Sequence, residues 1–348
     1  MATATTVAWT LGGAVAGLAG WATWGVWNNL TAFPRGRASV RRAGFAARQV
    51  DLDGVRVAYG EGPDNGPALL LIHGQSTDWL SYAPVLPQLA RRYHVYAVDC
   101  LGHGASARAP QLYSAAAHGA FLGRFLDEVI GRPTLVSGHS SGGHLAAWLA
   151  AHHGGVRGVL LEDPPFFTTT LPRALTTWNY VDLATMAHTF LAEGGTDWVA
   201  YVNEHQRIWQ FFGGSADWFT RMGRAYHRRH RDEPTVYWAM PPMMNESVRG
   251  AATYDPRFGD AFYTGSWDEG WDQAATLASL GVPATLVHTK VAYDDDGILM
   301  AAMGHEEAAR ARALLRDVQF VTTQTGHGFH LEDPARFVAL IDELAARA

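Results

Sequence analysis

Short, nearly uninterrupted apolar runs recur at residues 68–72, 95–99, 134–136, 156–161 and 283–288, each followed by glycine-rich or polar residues. A continuous apolar run of strand length predicts a strand buried on both faces, as in a mostly parallel sheet covered by helices. Residues 76–92 and 114–131 read as helices between such runs, so strands and helices alternate. Ahead of them, residues 48–52 and 55–60 flank Asp53-Gly54 and predict a hairpin. A last strand is expected at 319–322. The final helix, 334–348, has a proline in its first turn and Phe337, Leu340, Ile341 and Leu344 on one face. Between residues 164 and 280 the alternation stops, and this segment carries seven of the thirteen tryptophans among helical-looking pieces. The pattern therefore divides the chain into an N-terminal segment (1–34), the first part of an α/β core (35–163), a helical insertion (164–280) and the second part of the core (281–348).

Residues 1–34 contain no charged side chain, and residues 7–27 are a run of apolar, glycine, threonine and tryptophan residues. A 21-residue helix is long enough for a bilayer core at about 1.5 Å per residue, and Trp21, Trp24 and Trp27 would sit at the headgroup level. Gly13 and Gly17 would permit close approach of a second helix. The expectation is a membrane anchor. Arg35, Arg37, Arg41 and Arg42 follow the run and no basic residue precedes it, which would leave the globular part in the cytoplasm. The competing reading is a hydrophobic helix docked on the protein itself, and five glycines make the run a weak helix in water.

Composition narrows the function classes. A 48% hydrophobic content supplies a sizeable core, and a net charge of -6 argues against nucleic acid as a partner. The single cysteine, Cys100, excludes an internal disulfide and a cysteine metal cluster. Three adjacent acids, Asp294 to Asp296, lack the spacing of a calcium loop, so no metal is expected.

The candidate chemistry lies in Gly138-His139-Ser140-Ser141-Gly142, directly after the apolar run at 134–136. This is the G-x-S-x-G pattern of a nucleophile elbow, in which a serine sits on a sharp strand-to-helix turn. Taking Ser141 as the nucleophile instead loses the symmetric glycines. A serine hydroxyl needs a base to accept its proton and a third group to orient that base, and histidine is suited to the first role.

With His73-Gly74 after the third strand, the glycine-rich turn at 99–106 and the elbow in that order, the chain resembles the α/β-hydrolase superfamily over roughly residues 48–163 and 281–348. The resemblance implies an eight-stranded core sheet, an active site at the carboxyl ends of the strands and a helical cap inserted after the sixth strand. It implies His327 as the base, since Gly326-His327 follows the last strand and stands seven residues before Pro334; His330 is the alternative. His73, His103 and His144 fall in motifs whose histidines shape turns or line the pocket. The two oxyanion donors would be the backbone N–H groups of Gln75 and Ser141. For the acid, the loop at 294–296 is the expected source and Asp296 aligns best, with Asp294 and Asp295 open and Asp163 the runner-up, because some members draw the acid from the end of the sixth strand.

These expectations add up to a serine hydrolase acting on a carboxylic ester with a hydrophobic portion, without a cofactor. The partner is a hydrophobic ester or lipid, and aromatic residues of the insertion would line its pocket. The serine at the elbow disfavours dehalogenase and epoxide hydrolase chemistry, which place aspartate there. A C–C bond hydrolase, an amidase, or a non-catalytic ligand-binding protein of the same shape are the alternatives. Arg221, Arg224, Arg228 and Arg231 recur near one helix face, read as a solvated surface in preference to an anion site.

Overall fold

A single sheet of eight strands runs through the molecule: β1 (Ala46–Leu52), β2 (Val55–Glu61), β3 (Ala68–Ile72), β4 (His94–Val98), β5 (Thr134–His139), β6 (Val156–Glu162), β7 (Ala284–His288) and β8 (Val318–Thr322). The spatial order is β1-β2-β4-β3-β5-β6-β7-β8. β1 and β2 are antiparallel to each other and β2 to β4, and every later pairing is parallel. This computed structural model describes residues 4–348 apart from 232 and 241, with the side chains of 4–22, 243 and 247 outside the description.

The uninterrupted apolar runs have the expected cause. Successive strand residues point to opposite faces, so Leu70 and Ile72 of β3 join Val136, Val159 and Leu161 on one side of the sheet. Leu69 and Leu71 join Val95, Leu135, Leu160 and Val287 on the other. In chain order the helices are α1 (Ala4–Arg42), α2 (Leu86–Leu89), α3 (Ala115–Phe125), α4 (Ser141–His152), α5 (Thr185–Ala192), α6 (Trp198–His205) and α7 (Ala216–Arg229). α8 (Pro242–Ala251), α9 (Pro256–Thr264), α10 (Gln273–Ser279), α11 (His305–Leu314), α12 (Phe329–Glu332) and α13 (Pro334–Ala345) complete them. α3 and α4 cover the first face, and α2 and α13 the second. α13 starts where the sequence places it: the Asp333 carboxylate accepts from Arg336 N, and Pro334 fills the first position. Phe337, Leu340, Ile341 and Leu344 are fully buried, each contributing about 1.5–3 kcal/mol.

Between β6 and β7, helices α5 to α10 form an insertion over the carboxyl ends of the strands. Its tryptophans mostly make core. Trp209 packs with Phe219, Tyr237, Met240 and Val248 in a cluster of their own, while Trp198, Trp267 and Trp271 merge with the main core. Buried Trp267 donates to His144 Nδ1 at 3.0 Å, which fastens the insertion to α4. The arginines of α7 lie on an exposed face, with Arg224 paired to Glu204.

α1 departs from the anchor expectation. Among the described residues no helix is long and apolar enough to cross a membrane. Glycines, threonines and indoles dilute the run at 7–27, and the side chains of residues 7–22 lie outside the description. Gly13 and Gly17 fall among the side chains outside the description. The helix also passes residue 34 without stopping, through Pro34, and its far end docks on the protein. Val40 is buried beneath the sheet, and Asn29 Nδ2 donates to Trp238 O at 2.8 Å. The Arg249 guanidinium of α8 lies 4.2 Å from the centre of the Phe33 ring and is ion-paired with Asp78 and Glu246, all three being largely buried. On the outer side Trp24, Trp27 and Leu30 are exposed.

Candidate active site

Ser140 stands between β5 and α4 with φ 55° and ψ -124°, a conformation that side-chain-bearing residues rarely adopt. The turn closes through Ser140 N to Glu162 O at 2.9 Å and Gly143 N to Ser140 O at 2.8 Å. The flanking glycines have a steric cause. A Cβ on Gly138 would stand 2.1 Å from Gly142 O, and one on Gly142 would stand 2.3 Å from Ile72 O. Neither backbone oxygen has room to withdraw, so the G-x-S-x-G spacing is what lets β3, β5 and α4 meet.

Ser140 opens into a cavity of about 320 Å³ that is also lined by Gln75, Ser141 and His327. These residues come from the carboxyl ends of β3, β5 and β8, which the parallel register brings to one edge. The opposite wall belongs to the insertion and is largely apolar, with Leu183, Met186, Val202, Ile208 and Phe262. Of the seven insertion tryptophans, Trp178 alone lines the cavity, joined there by Phe262. The half-buried Gln75 side chain is anchored, its Nε2 donating to Tyr254 Oη at 2.8 Å.

His327 Nδ1 donates to Asp163 Oδ2 at 2.7 Å. Asp163 follows β6, is fully buried, and also accepts from Thr289 Oγ1 at 2.6 Å. Burial works to raise its carboxyl, but His288 and the bonds from His327 and Thr289 hold it well below the usual carboxylate range. Desolvation works to lower His327, and the hydrogen bond and charge of Asp163 outweigh it, so the imidazole is raised above its ordinary value.

The expected partnership of His327 with Asp296 is not formed. Asp294 Oδ1 accepts from Asp296 N at 3.1 Å and Ile298 N at 2.8 Å, closing a local turn. Leu299 then pairs with the insertion, its N–H bonding Thr176 O and its carbonyl accepting from Trp178 N. The extra loop residues thus fold Asp294 into that turn with 6% of its side chain exposed, and leave Asp295 exposed and Asp296 79% exposed with Arg207 Nη2 at 3.9 Å. His330, the alternative base, is buried outside the cavity, with Nδ1 donating to Glu162 Oε1 at 2.7 Å.

Three further histidines are struts. His73 Nε2 accepts from Cys100 N at 3.0 Å, His103 Nε2 from Ser76 N at 3.1 Å and His118 Nε2 from Leu101 N at 3.2 Å. His73 and His103 tie the loop after β3 to the glycine-rich turn after β4, and His118 ties α3 to the same turn. Burial lowers His73 to about 4 and His118 to about 3, so both stay neutral and able to accept. Sequence reasoning missed a second layer behind His327. His139 Nε2 donates to His327 O at 2.9 Å, and Glu162 accepts from both the Nδ1 and the backbone N–H of His330. The available signal was a glutamate at the end of an apolar strand, where a charge demands a partner.

Among the described residues no group of histidine, cysteine and acidic side chains could hold a metal ion. Over 117 residues the chain is 36% identical to the dihydrolipoyllysine-residue acetyltransferase component of an acetoin cleaving system from Cupriavidus necator, a match covering 34% of this chain and 31% of that protein. The chain spans between a quarter and a third of the length of the curated relatives it matches. Among solved structures, a bacterial membrane phospholipase A is similar with a TM-score of 0.60 and 23% identity, covering 97% of this chain and 98% of that one. The carboxylesterase CesB from Bacillus subtilis gives a TM-score of 0.60 and 16% identity, covering 92% and 98%. At these identities the likeness is one of fold. The sequence pattern of the alpha/beta hydrolase family runs across residues 69–340, through sheet, elbow and insertion alike, and the chain belongs to that family.

Proposed function

We propose that the protein is a serine hydrolase of carboxylic esters with a hydrophobic portion. The observation that carries this is the strained elbow serine opening into the same apolar cavity as a histidine bound to a buried aspartate. Ser140 Oγ attacks the ester carbonyl while His327 Nε2 takes its proton, and Asp163 holds the imidazole through Nδ1–H and stabilises its positive form. The backbone N–H groups of Gln75 and Ser141 receive the oxyanion. As the carbon–oxygen bond breaks, His327 returns the proton to the leaving alcohol. A water then enters, gives a proton to His327 and attacks the acyl-enzyme; collapse releases the acid, and Ser140 recovers its proton. Two of the similar structures are named for ester cleavage, and the reading adopts that bond.

A fluorophosphonate probe tests the claim, since it reacts with an activated serine hydroxyl whatever the substrate. Wild type should be labelled and turn over an ester series, and Ser140→Ala should lose both while keeping its melting temperature. A folded wild type that resists the probe overturns the hydrolase reading, and cleavage of anilides in preference to esters would move it to an amidase.

The lipid-facing part of the reading rests on α1. Exposed Trp24, Trp27 and Leu30, followed by Arg35, Arg37, Arg41 and Arg42, suit a helix lying at the headgroup layer without crossing. The full-length protein should float with vesicles containing anionic lipid, and Trp24→Ser with Trp27→Ser should release it. Equal recovery of both proteins in the soluble fraction would refute surface binding.

A further inference from the structure

The cavity wall supplied by the insertion has one ionisable group. Asp182 lies on the segment Tyr180–Ala184, beside apolar Leu183 and Met186, and faces the same space as Ser140 and His327. Its Oδ1 accepts from Arg207 N at 2.7 Å, and among the described residues no other hydrogen bond reaches the carboxyl group. The Arg207 side chain turns elsewhere, its Nη2 lying 3.9 Å from both Asp294 and Asp296. Asn179 and Gln206 stand on the same wall, so the polar groups of the insertion gather there while its other lining residues are mainly apolar.

A carboxyl group with one of its two oxygens unengaged, in a mainly apolar cavity, costs stability unless a ligand or water completes it. Its chemistry selects the ligand: it accepts from a hydroxyl or an ammonium group and repels another carboxylate. Burial raises its pKa to about 6, with the Arg207 N–H bond and charge opposing, which adds to the demand for a donor.

We propose that Asp182 receives a hydrogen-bond donor on the part of the ester lying under the insertion, so that the substrate class is an ester bearing a hydroxyl or amino group beyond a hydrophobic spacer. This rests on the serine-hydrolase reading. The apolar wall takes the spacer, Asp182 takes the donor, and Asn179 and Gln206 supply further polar contacts. A site built around a polar contact discriminates steeply against analogues that lack it, because the buried group is then left unpaired.

The test compares chain-length-matched esters ending in methyl, hydroxyl or amine, with the terminal group placed on the acyl side in one series and on the alcohol side in the other. The readout is the ratio of kcat/KM between terminal groups within each variant, which cancels differences in overall activity. Wild type should favour the hydroxyl or the amine over methyl by about tenfold or more in one series, chiefly through KM. Asp182→Leu should reverse the ratio in favour of methyl. Asp182→Asn should keep a preference for hydroxyl and lose one for amine, which tells the two donors apart. Equal turnover of all three termini in both series, with water completing the carboxyl, overturns the inference, as does a preference that survives in Asp182→Leu. Loss of fluorophosphonate labelling in the folded wild type would instead remove the hydrolase reading and this proposal with it.

Discussion

Asp163→Asn should lower kcat/KM on any ester the protein turns over by about 10⁴-fold, whereas Asp296→Asn should leave it within about twofold of wild type, as surface changes do. The asymmetry follows from placement. Asp163 is fully buried and holds His327 Nδ1 at 2.7 Å, so an amide there offers the imidazole a group of the wrong polarity and favours the wrong tautomer. Asp296 is 79% exposed, and among the described residues its carboxylate meets only Arg207, at 3.9 Å. The pH profile sharpens the test. Because His327 is raised by the Asp163 carboxylate, the acid limb of kcat/KM should titrate above the ordinary histidine value near 6.5. In Asp163→Asn the raising charge is gone and the limb should move down. A large loss in Asp296→Asn, with Asp163→Asn near wild type, would reverse the assignment.

His330→Leu should destabilise the protein by about 3–5 kcal/mol, which for a chain of this size lowers the melting temperature by about 4–7 °C. Glu162 is fully buried, with Oε1 bound to His330 and Oε2 without a partner. Removing the imidazole strands that charge in the sheet. Replacing both residues by leucine removes charge and partner together and should cost less than His330→Leu alone. Burial works to raise Glu162, but the charges of His330 and His139 prevail and the carboxyl is lowered. A lowered acid contributes stability that is present above its unfolded value near 4.3 and is lost as pH falls through the folded value. Wild type should therefore shed more stability on acidification than the double variant. Denaturant titrations across that range check both statements, and identical pH dependence in the two proteins would contradict them.

What was legible in the sequence was what short-range geometry dictates. The elbow needs small residues at 138 and 142 because backbone oxygens stand where their side chains would be, and that need is written as a pentapeptide. The strands read as apolar runs because both faces of the sheet are covered. The partner of His327 was not legible in the same way. It depends on which strand end the loop after β8 leans against, and Asp163 and His327 lie 164 residues apart. The acids at 294–296 stand in the loop where the resemblance places the acid, but that loop is spent on its own turn and on pairing with the insertion. Composition marks the insertion as rich in rings without saying which way they face: Trp198, Trp209, Trp267 and Trp271 make core, and Trp178 lines the cavity. Glu162 passed unnoticed at the end of an apolar strand because its partner, His330, comes from beyond β8.

The buried arginine of α8 gives the N-terminal helix a mechanical role. Phe33 covers Arg249, Arg249 grips Asp78, and Asp78 lies three residues beyond Gln75. At the next residue of α8, a methyl group on Gly250 would stand 1.9 Å from Ser76 O, so α8 and the loop after β3 meet closely there. Whatever pulls on or seats the helix is felt by the loop that would cradle the oxyanion. Shortening the chain at its start would thus remove a brace, loosening the cradle while leaving the serine, the histidine and the aspartate in place.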